Sequence, residues 1–445
     1  MTYRLVRAFT RLLLWLFYCR VEVVGRERIP AEGGVIVAAN HHNSVVDAMV
    51  IVAVSPRPVT VLANAPLFRH LLIGPFLRMM GAVPVQRRAE AGDDPRKNDA
   101  MFAAAIGALR RGGMVLIFPE GRTQPQPTLL PLRTGAARMM LGAVAAAEGE
   151  VVTLLPVGIV FHDPGTFRTG SVQVMIGTPV PTTDVVTSHR ERPEEAVRLL
   201  TARLADGIRA RIVEAEDRYT LELLAVLQRA WREEERGARA APAPDEEQSL
   251  AWKQRVMNGA RELSGREPQR VAELRRRVEL YRSHLLALGV RDERLGQPYT
   301  VRGVAAYVLK NLSWLALGLP LAIAGIAVHA LPYVATGRIV RWMGRTAEED
   351  ATDKIAVGLL LYPLVWCVEA WLVWRLAGPW WTAALAILLV PSGLLALAWR
   401  ERLGEVVGQA RAFFRFVADR DVERRLLEER RRLVDECRSN LMDEP

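Results

Sequence analysis

The last third of the chain sets the tightest limit on what it can fold into. Between Leu312 and Leu331 lies an apolar stretch with no Asp, Glu, Lys or Arg, interrupted by Gly318 and Pro320. A helix of about 20 such residues crosses a bilayer core of about 30 Å. A second stretch runs from Ile355 to Leu376 and contains Glu369 and Arg375, the latter close enough to the end to snorkel. A third, Trp380 to Trp399, follows after only Ala377, Gly378 and Pro379, so the last two segments read as an antiparallel hairpin. Tryptophans at 366, 371, 374, 380, 381 and 399 crowd this region as interfacial aromatic belts do. The arginine-rich loop 337–354 and tail both prefer the cytoplasmic side. The expectation is an embedded hairpin at 355–399, with 312–331 kinked, re-entrant or interfacial.

At the other end, Arg4, Arg7 and Arg11 fall on one helical face while Leu5, Phe9, Leu12, Leu13, Leu16 and Phe17 cover the rest. Such a helix lies in a membrane interface rather than across it. No signal peptide with a longer apolar run and a small-residue cleavage site is present, so the residues that follow are expected on the cytoplasmic side, against the membrane. The 445 residues are 50% hydrophobic, enough for two or three cores, which excludes disorder as the main state. Net charge is +10, and 55 of the 59 basic residues are arginines, whose forks match phosphates on lipid, coenzyme or nucleic acid. No basic cluster with interleaved aromatics appears outside the apolar segments, so nucleic acid is not an expected partner. Cys19, Cys367 and Cys437 sit far apart without CxxC or CxxH spacing, which argues against a zinc site or disulfide scaffold.

From Val21 to about Val180, short β-rich runs (21–24, 34–39, 59–63, 83–86, 114–118, 151–159, 172–176) alternate with helical patterns at 66–80, 97–110 and 135–147. This alternation predicts an α/β domain with a largely buried sheet. Residues 190–235 read as helical, 238–247 as a linker, 249–288 as a helical hairpin and 404–437 as an amphipathic helix.

Chemistry concentrates where strands end. Gly34–Ala39 runs into Asn-His-His-Asn-Ser-Val-Val-Asp at 40–47, and a carboxylate near a histidine fixes the imidazole tautomer and makes the ring a general base. No Gly-x-Ser-x-Gly elbow accompanies it, so the nucleophile is expected to be a substrate hydroxyl. Gly81–Arg88 delivers arginines at a strand end, Leu116–Thr123 ends another in Glu120, Gly121 and Arg122, and Val152–Ile159 carries Pro156 and Gly158. Loops at such ends are where open α/β folds place their sites, so His42, Arg87 and Arg122 are expected to converge on one anionic ligand.

In order and spacing these blocks resemble the glycerolipid acyltransferases, the glycerol-3-phosphate and lysophosphatidic acid acyltransferases. The resemblance covers roughly residues 20–215 and rests on H-x-x-x-x-D at His42–Asp47, G-x-x-P-V-x-R at Gly81–Arg87, F-P-E-G at Phe118–Gly121 and L-P-V at Leu155–Val157. It implies a mixed sheet covered by helices, a C-terminal helical membrane region, and acyl transfer from acyl-CoA or acyl carrier protein to a hydroxyl of a glycerol phosphate or lysophospholipid, without metal or cofactor. His42 would take the proton, Asp47 would orient it, and Arg87, Glu120, Gly121, Arg122 and Pro156 would bind substrate. Arg122 preceding Thr123, with Pro131–Gly135 and the membrane region, looks similar to the yeast-type glycerol-3-phosphate acyltransferase branch. The doubled histidine leaves His41, at a five-residue gap, as the alternative base.

The expected division is an interfacial helix at 1–20, a catalytic domain at 21–215, a helical linker at 216–300, membrane helices at 301–400 and a charged helix at 401–445. A metal hydrolase using His41, His42 and Asp47 is disfavoured because adjacent side chains of an extended segment point to opposite faces. A membrane lipid-binding scaffold without catalysis, or a lysophospholipid-remodelling enzyme, is the other alternative.

Overall fold

Runs such as Gly34–Ala39, with no polar side, have to be covered on both faces, the condition of an inner strand in a parallel sheet. The computed structural model describes residues 2–70, 73–86, 98–146, 152–162, 167–168, 170–238, 245–290, 292–295, 301–344, 346, 349–418 and 420–442. It holds these runs in a seven-stranded sheet of order β1-β7-β6-β2-β5-β3-β4. The strands are β1 (Arg20–Val24), β2 (Gly34–Ala39), β3 (Val59–Asn64), β4 (Val83–Val85), β5 (Met114–Ile117), β6 (Val152–His162) and β7 (Ser171–Ile176). β6, β2, β5, β3 and β4 run parallel, whereas β7 is antiparallel to β6 and carries β1 parallel to itself. The sheet is therefore mixed, with one reversed edge.

The period of two along each strand sorts the core into two halves. Val35, Val37 and Ala39 of β2, with Leu155 and Val157 of β6, face one cluster together with the helices α1 (Thr2–Phe17), α2 (Ser44–Val54) and α3 (Ile73–Met79). Ile36 and Ala38, with Leu154, face the other with α4 (Asp99–Arg110), α5 (Gly135–Ala146), and α7 (Pro193–Arg209), which follows the short α6 (Thr183–Ser188). The helix expected over 66–80 is a 3₁₀ turn at Ala65–Arg69 followed by α3. Residues 190–235 divide between α7 and α8 (Arg218–Ala238).

α1 is more deeply built in than its pattern implied. Val6, Thr10, Leu14 and Phe17 are buried, and Arg7 and Arg11 donate to the carbonyls of Ser55 and Ala53 at the end of α2. These arginines satisfy orphan helix carbonyls and complement the α2 dipole. Leu5, Phe9, Leu12 and Trp15 remain on the exposed side.

The chain forms two compact units, one of residues 1–216 with 340–356 and one of 217–339 with 357–445. In the second, 216–300 is no simple linker. α8, α9 (Glu246–Arg266) and α10 (Pro268–Leu288) bundle with the C-terminal α14 (Arg420–Cys437). Trp231 meets Trp252 with ring centres 5.6 Å apart, Arg277 pairs with Glu436 at 2.8 Å, and buried Arg430 reaches Asp292 at 3.4 Å. The three apolar stretches form α11 (Val301–Met343), α12 (Asp350–Ala377) and α13 (Pro379–Ala418), each long and apolar enough to cross a membrane. α11 is one continuous helix that runs on through Pro320 and Pro332. A proline removes one main-chain hydrogen bond, but in an apolar segment the helix is still the way to satisfy the rest. His329 of α11 ties the three together, with Nε2 2.9 Å from the Leu389 carbonyl of α13 and Nδ1 accepting from Trp366 Nε1 of α12 at 3.3 Å.

Packing in the sheet leaves no room at Gly158, where an added Cβ would lie 2.2 Å from the Arg211 carbonyl oxygen. Gly158→Ala is expected to destabilise the fold by about 2–3 kcal/mol, as overpacking of a filled core does. Thermal unfolding of the purified full-length variant checks this, and an unchanged midpoint would mean that the Arg211 backbone moves aside freely.

Candidate active site

β2 leaves the sheet between β6 and β5, at the shared C-terminal edge where α/β folds hold ligands. Asn40, fully buried, ends the strand by pairing its side chain with β6: Nδ2 donates to the Ile159 carbonyl at 2.9 Å and Oδ1 accepts the Ile159 N–H at 2.6 Å. The amide side chain thus continues the ladder that the backbone abandons, and the chain turns into α2 four residues later.

Asp47 sits in the first turn of α2, fully buried, where the helix dipole favours a negative charge. Its Oδ2 accepts from His41 Nδ1 at 2.8 Å, the His42 N–H at 2.9 Å and the Asn43 N–H at 2.8 Å. Phe118, at the end of β5, stacks on the His41 ring with centres 4.1 Å apart and planes 12° from parallel. With its Nδ1 proton on the carboxylate, His41 has Nε2 as its basic atom.

The imidazole that Asp47 holds is therefore that of His41, and the expected pairing of the His42 ring with Asp47 is corrected. Adjacent side chains in the extended 40–43 segment diverge, so one ring of the two turns to the carboxylate. His42 gives Asp47 its main-chain N–H instead and places its ring Nδ1 3.1 Å from the Gln124 carbonyl. The sequence offers both gaps to Asp47, so the spacing alone does not select this register.

Glu120 links the two loops that form the site. Only 3% exposed, it accepts the His41 N–H on Oε1 at 2.8 Å and the Leu130 N–H on Oε2 at 3.1 Å. Gly121 follows with φ +71°, its N–H donating to Phe118, and a Cβ there would lie 2.7 Å from Arg133 Nε. The left-handed φ is what favours glycine here, since the Arg133 side chain could move aside. Arg122 is exposed beside this turn. Gln124 returns its N–H to the His41 carbonyl at 3.2 Å, and Glu214 holds the far end of the loop through the Leu129 N–H at 2.9 Å. These two side chains had no motif to mark them.

Pro156 lies in the sheet interior opposite Ala38, close to Gly177 and Gly207, so it packs in the core rather than lining the site. Arg87 lies outside the described residues. The flanking Gln86 and Asn98 exchange two hydrogen bonds of 3.0 Å at the end of β4, and β3 stands between β4 and β5.

Burial pushes the Glu120 carboxyl up to about 7, helped by nearby Asp47 and opposed by the Leu130 and His41 amides and by Arg122. A carboxyl raised on folding binds its proton more tightly in the folded chain. Stability from this group is complete below the unfolded value of 4.5 and is lost as pH rises to about 7. Across that window the wild type is expected to lose on the order of 3 kcal/mol relative to Glu120→Gln, which has no proton to release. Denaturant titrations of both proteins at a series of pH values measure this. Parallel pH dependences would show that Glu120 titrates normally.

A family model described as Acyltransferase matches residues 20–160, the segment that holds β1 to β5 and most of β6. An uncharacterized acyltransferase of Schizosaccharomyces pombe is 23% identical over 81% of this chain and 66% of its own. Glycerol-3-phosphate O-acyltransferase 2 of Saccharomyces cerevisiae is 29% identical over 30% of this chain and 18% of its own. The 1-acyl-sn-glycerol-3-phosphate acyltransferase of Bacillus subtilis is 26% identical over 44% of this chain and 89% of its own. The chain thus spans less than two thirds of the first two relatives' length. With the His-Asp turn and the F-P-E-G turn side by side at the sheet edge, residues 20–160 match an Acyltransferase domain, and the relatives similar to this chain include glycerol-3-phosphate and 1-acyl-sn-glycerol-3-phosphate acyltransferases.

Proposed function

We propose that this protein is a membrane-bound O-acyltransferase. It moves a fatty acyl group from a thioester, acyl-CoA or acyl carrier protein, to a hydroxyl of glycerol 3-phosphate or 1-acylglycerol 3-phosphate, with the catalytic unit on the cytoplasmic side. The observation that carries this reading is the 2.8 Å contact of His41 with fully buried Asp47 inside the matched acyltransferase segment.

In this mechanism His41 Nε2 takes the acceptor hydroxyl proton as its oxygen attacks the thioester carbonyl. Asp47 stabilises the imidazolium that results. The tetrahedral intermediate collapses with cleavage of the C–S bond, and the thiolate recovers the proton from His41. His42, first expected to be the base, fixes the turn through its main-chain N–H. Arg122, together with Arg87, binds the acceptor phosphate through charge-assisted contacts. Acyl chains partition into bilayers, so three helices of membrane-crossing length and the apolar outer side of α1 keep the site where its substrates reside.

His41→Ala is expected to lose about 10²- to 10⁴-fold in kcat while the fold and membrane association persist, the range of general-base catalysis. His42→Ala should retain far more activity. Membranes offered labelled acyl-CoA with each acceptor in turn measure both, and an inactive His42→Ala beside an active His41→Ala would restore His42 as the base.

Arg122→Ala is expected to raise KM for the phosphorylated acceptor about tenfold, with KM for acyl-CoA little changed, as loss of one charge-assisted contact implies. Equal increases for both substrates would remove Arg122 from the phosphate site.

A further inference from the structure

We propose that Tyr18 is a positioning residue for acyl transfer, acting through Asn43 on the turn that presents His41 and Asp47. This rests on the His41–Asp47 reading above. Tyr18 closes α1, 1% exposed, with its ring against Phe17 at 5.0 Å and Phe161 at 5.9 Å. The adjoining backbone is fixed as well, since the Cys19 N–H donates to the Gly170 carbonyl at 2.9 Å. The phenol oxygen is thus a stationary point in the interior, and it accepts a hydrogen bond from Asn43 Nδ2 at 3.0 Å.

Asn43 occupies the N-cap of α2, where asparagine ordinarily accepts a helix N–H with its side chain. Here it makes no such cap bond, and its amide donates to Tyr18 instead. The backbone N–H of the same residue is one of the three donors to Asp47 Oδ2. The next residue, Ser44, has φ +45°, a conformation that non-glycine residues keep only where the surroundings enforce it. Asn43 is 2% exposed, so the Tyr18 bond is made in a dry setting where losing it leaves the amide donor unpaired. The hydroxyl therefore holds the backbone whose amides aim the Asp47 carboxylate, and through it the His41 ring.

The test uses full-length enzyme with palmitoyl-CoA and, as acceptor, glycerol 3-phosphate or 1-oleoylglycerol 3-phosphate. Tyr18→Phe removes one oxygen and keeps the ring. It is expected to lower kcat about 10- to 100-fold with both KM values within about twofold, the signature of a misplaced reacting group. Asn43→Ser should do the same, and the double variant should be no worse than either single one. In the Asp47→Asn background Tyr18→Phe should cost nothing further. If Tyr18→Phe yields no folded enzyme, Asn43→Ser alone and in the Asp47→Asn background carries the test. A kcat within about twofold of wild type, or losses from Tyr18→Phe and Asp47→Asn that simply multiply, would overturn the proposal. His41→Ala separates it from the underlying reading: an inactive His41→Ala beside a normal Tyr18→Phe sinks only the role of Tyr18, whereas an active His41→Ala sinks the base assignment.

Discussion

The buried carboxylate of Asp47 is the constraint around which this edge of the sheet is organised. A fully buried charge has to be compensated locally, and Asp47 receives one imidazole and two main-chain donors on a single oxygen. Those donors come from three consecutive residues, so the backbone between β2 and α2 has little freedom left. Much else follows from supporting that turn: Asn40 pins its start to β6, Asn43 its middle to Tyr18, and Phe118 covers the ring. The sheet supplies the remaining requirement by ending β2 and β5 side by side while β6 runs on past them to His162.

The parts of this arrangement that depend on periodicity were legible in the sequence. All seven strand runs appear within a few residues of their expected positions, and the inner ones, such as β2, are continuous apolar runs because they are buried on both faces. The positions of Glu120 and Gly121 were equally readable, since a carboxylate and a glycine directly after a strand point to a tight turn. Long-range polar contacts were not. Nothing in the spacing of Tyr18 and Asn43, or of Glu214 and Leu129, says that they meet, because hydrogen bonds between distant segments leave no periodic trace. The choice between His41 and His42 belongs to the same class. It turns on which of two diverging side chains faces α2, a matter of φ and ψ at 40–44.

The C-terminal half shows a different limit. Apolar length identified the three membrane-type helices, and Gly318 and Pro320, which interrupt the first apolar run, lie inside a continuous α11. Breaking signals calibrated on water-exposed helices lose force where the backbone has no alternative partner. Residues 249–288 read as a helical hairpin within a helical linker region at 216–300, and their apolar stripes and those of α14 close on one another, with Tyr281, Asp292 and Arg430 as a buried polar group.

Glu120 carries one further implication. A single side chain of 3% exposure tethers the His41 amide with one oxygen and the Leu130 amide with the other. The two loops are distant in sequence but share this fastening, and neither can swing away without leaving a buried carboxyl half satisfied. The two loops are therefore mechanically coupled, because displacing either one strands a buried carboxyl oxygen of the other's tether.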